Sequence, residues 1–192
     1  MEKLKQSYSE ILSVFKEQKQ KINRLWNVEE ETANLLSMLV LIKKPEIVLE
    51  LGTSNGYSTF HLAIDQSTKV ITIDVETSRN NLAKETLKGF NNIEFITERI
   101  ETYIPKINYK IDLLFLDANK PNYLNYLLQL ENKLNNDALI IADNIDSHAT
   151  TGSYKDYILN NNKYTTIHLS IDAGVLISVF SISKDKIITN NE

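Results

Sequence analysis

The chain has 192 residues, with 21 lysines and arginines against 25 aspartates and glutamates, and hence a net charge of −4. That length suits one domain able to bury roughly 70% of its unfolded surface, and a 42% apolar content excludes a disordered chain. Cysteine is absent, which excludes disulfides, thiolate catalysis and Cys-ligated zinc or iron–sulfur sites.

The first residues (Met1, Glu2, Lys3, Leu4, Lys5) lack the apolar segment and cleavage site of a signal peptide. No apolar run approaches the roughly 18 to 20 residues that span a bilayer, so a cytoplasmic protein with no membrane partner is expected. The organisation expected is one domain: N-terminal helices over 1–44, an α/β core over 45–183 and a polar tail over 184–192. Leu4, Tyr8, Ile11, Leu12, Phe15, Ile22, Leu25 and Trp26 recur at helical spacing and predict one amphipathic stripe. A second helix is expected from about Val28 to Ile42, with Glu29, Glu30 and Glu31 at its positive end and Pro45 closing the pattern.

From Ile47 onward short β-branched runs alternate with helical stretches. The predicted strands are Ile47–Leu51, Val70–Asp74, Ile93–Thr97, Ile111–Leu116, Ala138–Ala142, Tyr164–Leu169 and Val175–Ser181. The first, fourth and fifth are apolar on both faces, as strands inside a helix-covered parallel sheet must be. This alternation predicts a doubly wound α/β sheet built from right-handed crossovers. Only five residues separate the last two strands, too few for a crossover, so a hairpin and an antiparallel edge strand are expected.

In such sheets ligands sit outside the carboxyl ends of the strands, where four segments stand out. Gly52 and Gly56, in Glu50-Leu51-Gly52-Thr53-Ser54-Asn55-Gly56-Tyr57-Ser58, would turn the chain sharply off the first strand and let a ligand approach the backbone. The spacing is not the GxGxxG of nicotinamide dinucleotide sites. Asp74 ends the second strand about 20 residues on, where a carboxylate can accept from ribose hydroxyls. Asp117 ends the fourth strand and Asp143–Asn144 the fifth. If those strands are neighbours, the three oxygen donors converge and suit a hard divalent cation, Mg²⁺ first, with Mn²⁺ and Ca²⁺ as alternatives. Taken singly, each acid also fits a helix cap or a turn.

These residues resemble motif I of class I S-adenosylmethionine-dependent methyltransferases and, more narrowly, the metal-dependent O-methyltransferases of the catechol and caffeoyl-coenzyme A type and their bacterial relatives. Gly56-Tyr57-Ser58, Asp117-Ala118-Asn119-Lys120 and Asp143-Asn144 stand in that family's order and spacing. The resemblance implies a Rossmann-like seven-stranded sheet, mostly parallel with an antiparallel last strand, and a homodimer. It implies that Glu50, Gly52, Thr53, Ser54, Gly56 and Ser58 hold the methionine part of S-adenosylmethionine, with Asp117 also beside the cofactor. Asp74 would bind the ribose, where many relatives carry Glu. It further implies Asp117, Asp143 and Asn144 as metal ligands and Lys120 as general base toward a hydroxyl of a small, catechol-like acceptor. Two departures are visible: Thr97-Glu98-Arg99-Ile100-Glu101 replaces a small turn against adenine, and Ile145 to Gly152 is short. A hydroxylated tRNA base is an alternative acceptor, disfavoured by the acidic balance and by only three arginines. A catalytically inactive nucleotide-binding module is the other alternative. Of the histidines and tyrosines, His61 and His168 read as structural, His148 as a solvated loop residue, and Tyr154 as a candidate wall of the acceptor pocket.

Overall fold

The computed structural model describes residues 7–22, 25–147 and 149–182. Seven strands form one sheet in the order β3-β2-β1-β4-β5-β7-β6. They are β1 (Ile47–Leu51), β2 (Lys69–Asp74), β3 (Ile93–Thr97), β4 (Ile111–Leu116), β5 (Leu134–Ala142), β6 (Tyr164–Leu169) and β7 (Val175–Phe180). The first five pair in parallel, and β7 runs antiparallel to both β5 and β6. The reversed strand is therefore the last one, as expected, but it lies one place in from the edge, and β6 is the edge strand. A five-residue connection can only return β7 alongside β6, and β7 then reaches β5 as well.

The strands fall where β-branched and aliphatic runs placed them, except that β5 begins four residues early. Leu134-Asn135-Asn136-Asp137 is too polar to read as a strand, yet Leu134 pairs with Ile111 before the register shifts. Asp137 at φ 65° marks the irregularity, a left-handed conformation that Asp tolerates better than most residues. The core lies on both faces of the sheet. On one, α6 (Tyr123–Leu130) and α7 (Gly152–Leu159) cover Leu49, Leu51, Leu114, Leu116 and Ile140. On the other, α2 (Glu30–Lys43) and α3 (Tyr57–Leu62) cover Val48, Val70, Leu113, Phe115 and Ile141.

The N-terminal stripe forms α1 (Tyr8–Lys21), opened by a capping box in which Ser7 and Glu10 satisfy each other's backbone N–H groups. Ile11 and Phe15 pack on Phe60 and Leu87, so this stripe is spent on its own core. Gln18 ties α1 down at two points: its side chain accepts from Asn55 Nδ2 and donates to Thr86 Oγ1, both at 2.8 Å. Helix α2 begins two residues later than expected. Its Glu29 makes no side-chain cap, and Asp172 of the β6–β7 turn instead accepts from Thr32 N and Oγ1 at 3.0 and 2.6 Å. Among the described residues, no helix is long and apolar enough to cross a membrane.

Candidate active site

The carboxyl ends of β1, β2, β4 and β5 meet at one edge of the sheet, and a cavity of about 550 Å³ opens over them. Its floor begins at Gly52, which leaves β1 at φ 107°. A Cβ at this position would lie 2.3 Å from the carbonyl oxygen of Asp117, so only glycine lets the first strand's turn pass the end of β4. Gly56, at φ 89°, brings α3 against α4 (Thr77–Thr86) and the residues just beyond it; a Cβ there would sit 3.0 Å from Ala83 and Leu87. Gly52, Ser54 and Ser58 line the cavity, whereas Thr53 and Gly56 support it from behind.

Asp74 lines the cavity too, and it is already engaged. Its Oδ2 accepts from the backbone N–H groups of Thr53 and Ser54 at 3.2 and 3.0 Å, and Oδ1 accepts from Glu76 N at 2.8 Å. The acid that ends β2 therefore splints the glycine loop. Glu50 does not reach the cavity. It is fully buried in β1, where its two oxygens accept from Ser58 Oγ at 2.6 Å and Thr59 Oγ1 at 2.5 Å. Burial pushes its carboxyl up to about 7 against those hydrogen bonds. Through them Glu50 fixes the first turn of α3 and thus Ser58.

At the other end of the cavity stand Asp117, Lys120 and Asn144. Asp117 follows β4 and Asp143 follows the neighbouring β5, so the two acids end adjacent strands, but Asp143 is buried and does not line the cavity. Their backbones are joined by Asp143 N donating to Leu116 O at 3.1 Å. Lys120 Nζ lies 2.5 Å from Asp117 Oδ1, with both side chains largely buried, and 5.5 Å from the centroid of the Tyr123 ring. Burial raises the Asp117 carboxyl, and the Lys120 ammonium offsets part of that effect. Asp143 is raised by burial and then by the charge of Asp117. Its Oδ1 is buried without a partner. Asn144 sits at φ 58° and turns the chain back, so that Ile145 N and Asp146 N donate to Gly174 O and Ala173 O.

This donor set is short of positive charge: two buried carboxylates face one ammonium, and one oxygen has no donor. No three His, Cys, Asp or Glu side chains form a metal-holding group among the described residues, and the neutral oxygen donor next in the chain is the Asn144 amide, whose residue lines the cavity. All-oxygen, partly neutral donors with an unsatisfied carboxylate fit a hard divalent cation. Asp117, Asp143 and Asn144 are the residues that could hold it.

Several wall residues escaped the sequence reading. Trp26 and Asn27, from the α1–α2 connection, line the cavity, and so do Arg79 and Tyr126. Glu98, Arg99, Ile100 and Glu101, the departure after β3, form another wall, where Glu101 Oε1 accepts from Tyr126 OH at 2.9 Å. Tyr154, by contrast, is fully buried against Tyr123 and does not line the cavity. Period alone marks both tyrosines as helix packing; which one reaches a cavity depends on where α6 and α7 cross the sheet. His61 is buried and held neutral, its ring pushed down to about 4 by burial. His168 pairs with Asp146 at 2.8 Å, and His148 lies outside the described residues.

A central β1 with its glycine turn, an acid ending β2 and an antiparallel β7 in this strand order define a class I S-adenosylmethionine-dependent methyltransferase. The chain belongs to the O-methyltransferase family, whose model matches residues 4–185. Among curated relatives, catechol O-methyltransferase B of Danio rerio is 27% identical over 160 residues, 76% of this chain and 60% of that protein. Caffeoyl-CoA O-methyltransferase of Medicago sativa is 25% identical over 177 residues, 79% of this chain and 72% of that one. The fold matches the O-methyltransferase from Bacillus cereus in complex with SAH at a TM-score of 0.78 and 20% identity, over 93% of each chain.

Proposed function

We propose that this protein transfers the methyl group of S-adenosylmethionine to a hydroxyl of a small, aromatic, catechol-like acceptor with the help of a divalent cation. The observation that carries the reading is Asp117, bound to Lys120 at the far end of the cavity that starts at the glycine turn, with buried Asp143 ending the adjacent strand. The names of the fish and plant relatives, and the SAH in the Bacillus cereus structure, support the donor and the acceptor class.

In this reading the turn from Gly52 to Gly56 and the hydroxyl of Ser58 hold the methionine part of the donor. Asp74 offers the one lone pair that its backbone contacts leave on Oδ1 to a ribose hydroxyl. Methyl transfer is an in-line displacement at a sulfonium, and holding acceptor oxygen and methyl carbon in line can supply about 7 to 11 kcal/mol of the barrier. The nucleophile must be the ionised hydroxyl, and a phenol ionises only near pH 10 in water. A cation held by Asp117, Asp143 and Asn144 would stabilise that oxyanion as a Lewis acid. Lys120 Nζ, beside Asp117, is placed to take up the proton. The reading extends to a homodimer, for which the exposed Met38, Leu41 and Ile42 on α2 offer an apolar face.

The test is methyl transfer from labelled S-adenosylmethionine to a catechol panel, with and without a chelator. Methylated catechol lost on chelation and restored by Mg²⁺ is the expected result. Turnover that ignores the chelator would remove the cation, and binding of S-adenosylhomocysteine without transfer to any hydroxyl would leave a binding module.

A further inference from the structure

We propose that Tyr123 is the positioning residue of this site: its buried hydroxyl sets the spacing of the two strand ends that carry Asp117 and Asp143. The inference rests on the cation reading above. Tyr123 opens α6, is fully buried, and directs its hydroxyl to the carbonyl oxygens of Leu116 at 2.8 Å and Asp143 at 3.2 Å. Leu116 is the residue before Asp117, so one hydroxyl proton is shared between the backbone just ahead of the first acid and that of the second. Leu116 O also accepts from Asp143 N, which closes a small network of backbone groups across the β4–β5 gap.

The Leu116 carbonyl already accepts from Asp143 N and takes the hydroxyl as a second donor, just before Asn144 turns the chain away in the left-handed region. Without the hydroxyl, the Asp143 carbonyl would lose this donor, and the β4–β5 gap would be bridged at this point by Asp143 N to Leu116 O alone, with Gly174 and Ala173 holding the far side of the corner. The ring of Tyr123 also lies under the Lys120 ammonium, so the same side chain borders the third charged group of the site. Groups that hold metal ligands in place commonly change affinity 10- to 100-fold when removed. Tyr123 acts through the backbone of those ligands and does not line the cavity.

Tyr123→Phe deletes one oxygen and no packing. The experiment titrates Mn²⁺ into the full chain by electron paramagnetic resonance and, separately, measures S-adenosylhomocysteine affinity in EDTA. Tyr123→Phe is expected to weaken Mn²⁺ binding by about 10- to 100-fold, with the S-adenosylhomocysteine affinity held within about twofold. Tyr154→Phe is the control, since its neighbouring buried hydroxyl has no partner; it should leave both affinities unchanged. Equal Mn²⁺ affinity in wild type and Tyr123→Phe, or an equal loss in Tyr154→Phe, overturns the positioning role. Loss of S-adenosylhomocysteine binding together with Mn²⁺ also overturns it, because the hydroxyl would then support the whole fold. No Mn²⁺ binding by the wild type sinks the cation reading itself, and this inference with it.

Discussion

The two ends of the sheet treat buried acids in opposite ways. At the end where β5 and β6 begin, Glu131 accepts from Tyr157 OH at 2.6 Å, Tyr164 OH at 2.5 Å and Lys163 Nζ at 2.9 Å. Burial works to raise its carboxyl, yet those three donors outweigh it and hold the group below its usual value. At the end where β4 and β5 finish, Asp117 and Asp143 share one ammonium, both are raised, and one oxygen has no donor. Burying an acid is tolerated when donors saturate it, as at Glu131. An unsaturated pair costs stability, and such sites concentrate where a ligand or a reaction completes them.

That contrast predicts opposite outcomes for removing charge at the two ends. Asp143→Asn should cut methyl transfer at least about 100-fold while thermal unfolding at pH 8 stays level or moves upward. Lys120→Met should lower the rate by about 100- to 10,000-fold, the usual worth of a positioned base. An Asp143→Asn variant of normal activity would erase the distinction between the two ends. Glu50 sharpens it on the pH axis. Folded Glu50 holds its proton to about pH 7, against about 4.5 unfolded, so it withdraws stability as pH rises through that window. The withdrawal is worth about 3 kcal/mol, at about 1.4 kcal/mol per pH unit. Glu50→Gln should reduce that slope in urea unfolding measured from pH 5 to 8, leaving the part that Asp143, raised in the same direction, contributes. His61 contributes with the other sign, losing stability as pH falls from 6.5 through about 4. The smallest effect is at the saturated end: Glu131→Gln should lose about 1 to 3 kcal/mol of stability with turnover unchanged within about twofold.

Much of this was legible in the sequence because it is local. Strand positions follow from β-branched runs, and each strand-end residue follows from where its run stops; hence Gly52, Asp74, Asp117 and Asp143 could be named before any coordinates. The start of β5 was not legible, because Asn135, Asn136 and Asp137 disfavour strands and pair only through a register shift. Glu50 illustrates another limit. Its position beside the glycine turn is plain, but the hydroxyls of Ser58 and Thr59 that occupy it come from the following helix. Tyr123 and Tyr126 carry the same apolar signal at the same helical period. Only the crossing of α6 over the strand ends gives one a backbone network to hold and the other a cavity to line.

The double hold of Gln18 on Asn55 and Thr86 bears on how the protein can be handled. A version trimmed to remove α1 would uncover Phe60 and Leu87 and strip Asn55, inside the glycine turn, of its amide partner. Crystallisation trials or fusions that economise on the leading segment should therefore yield sticky material that grips the donor poorly.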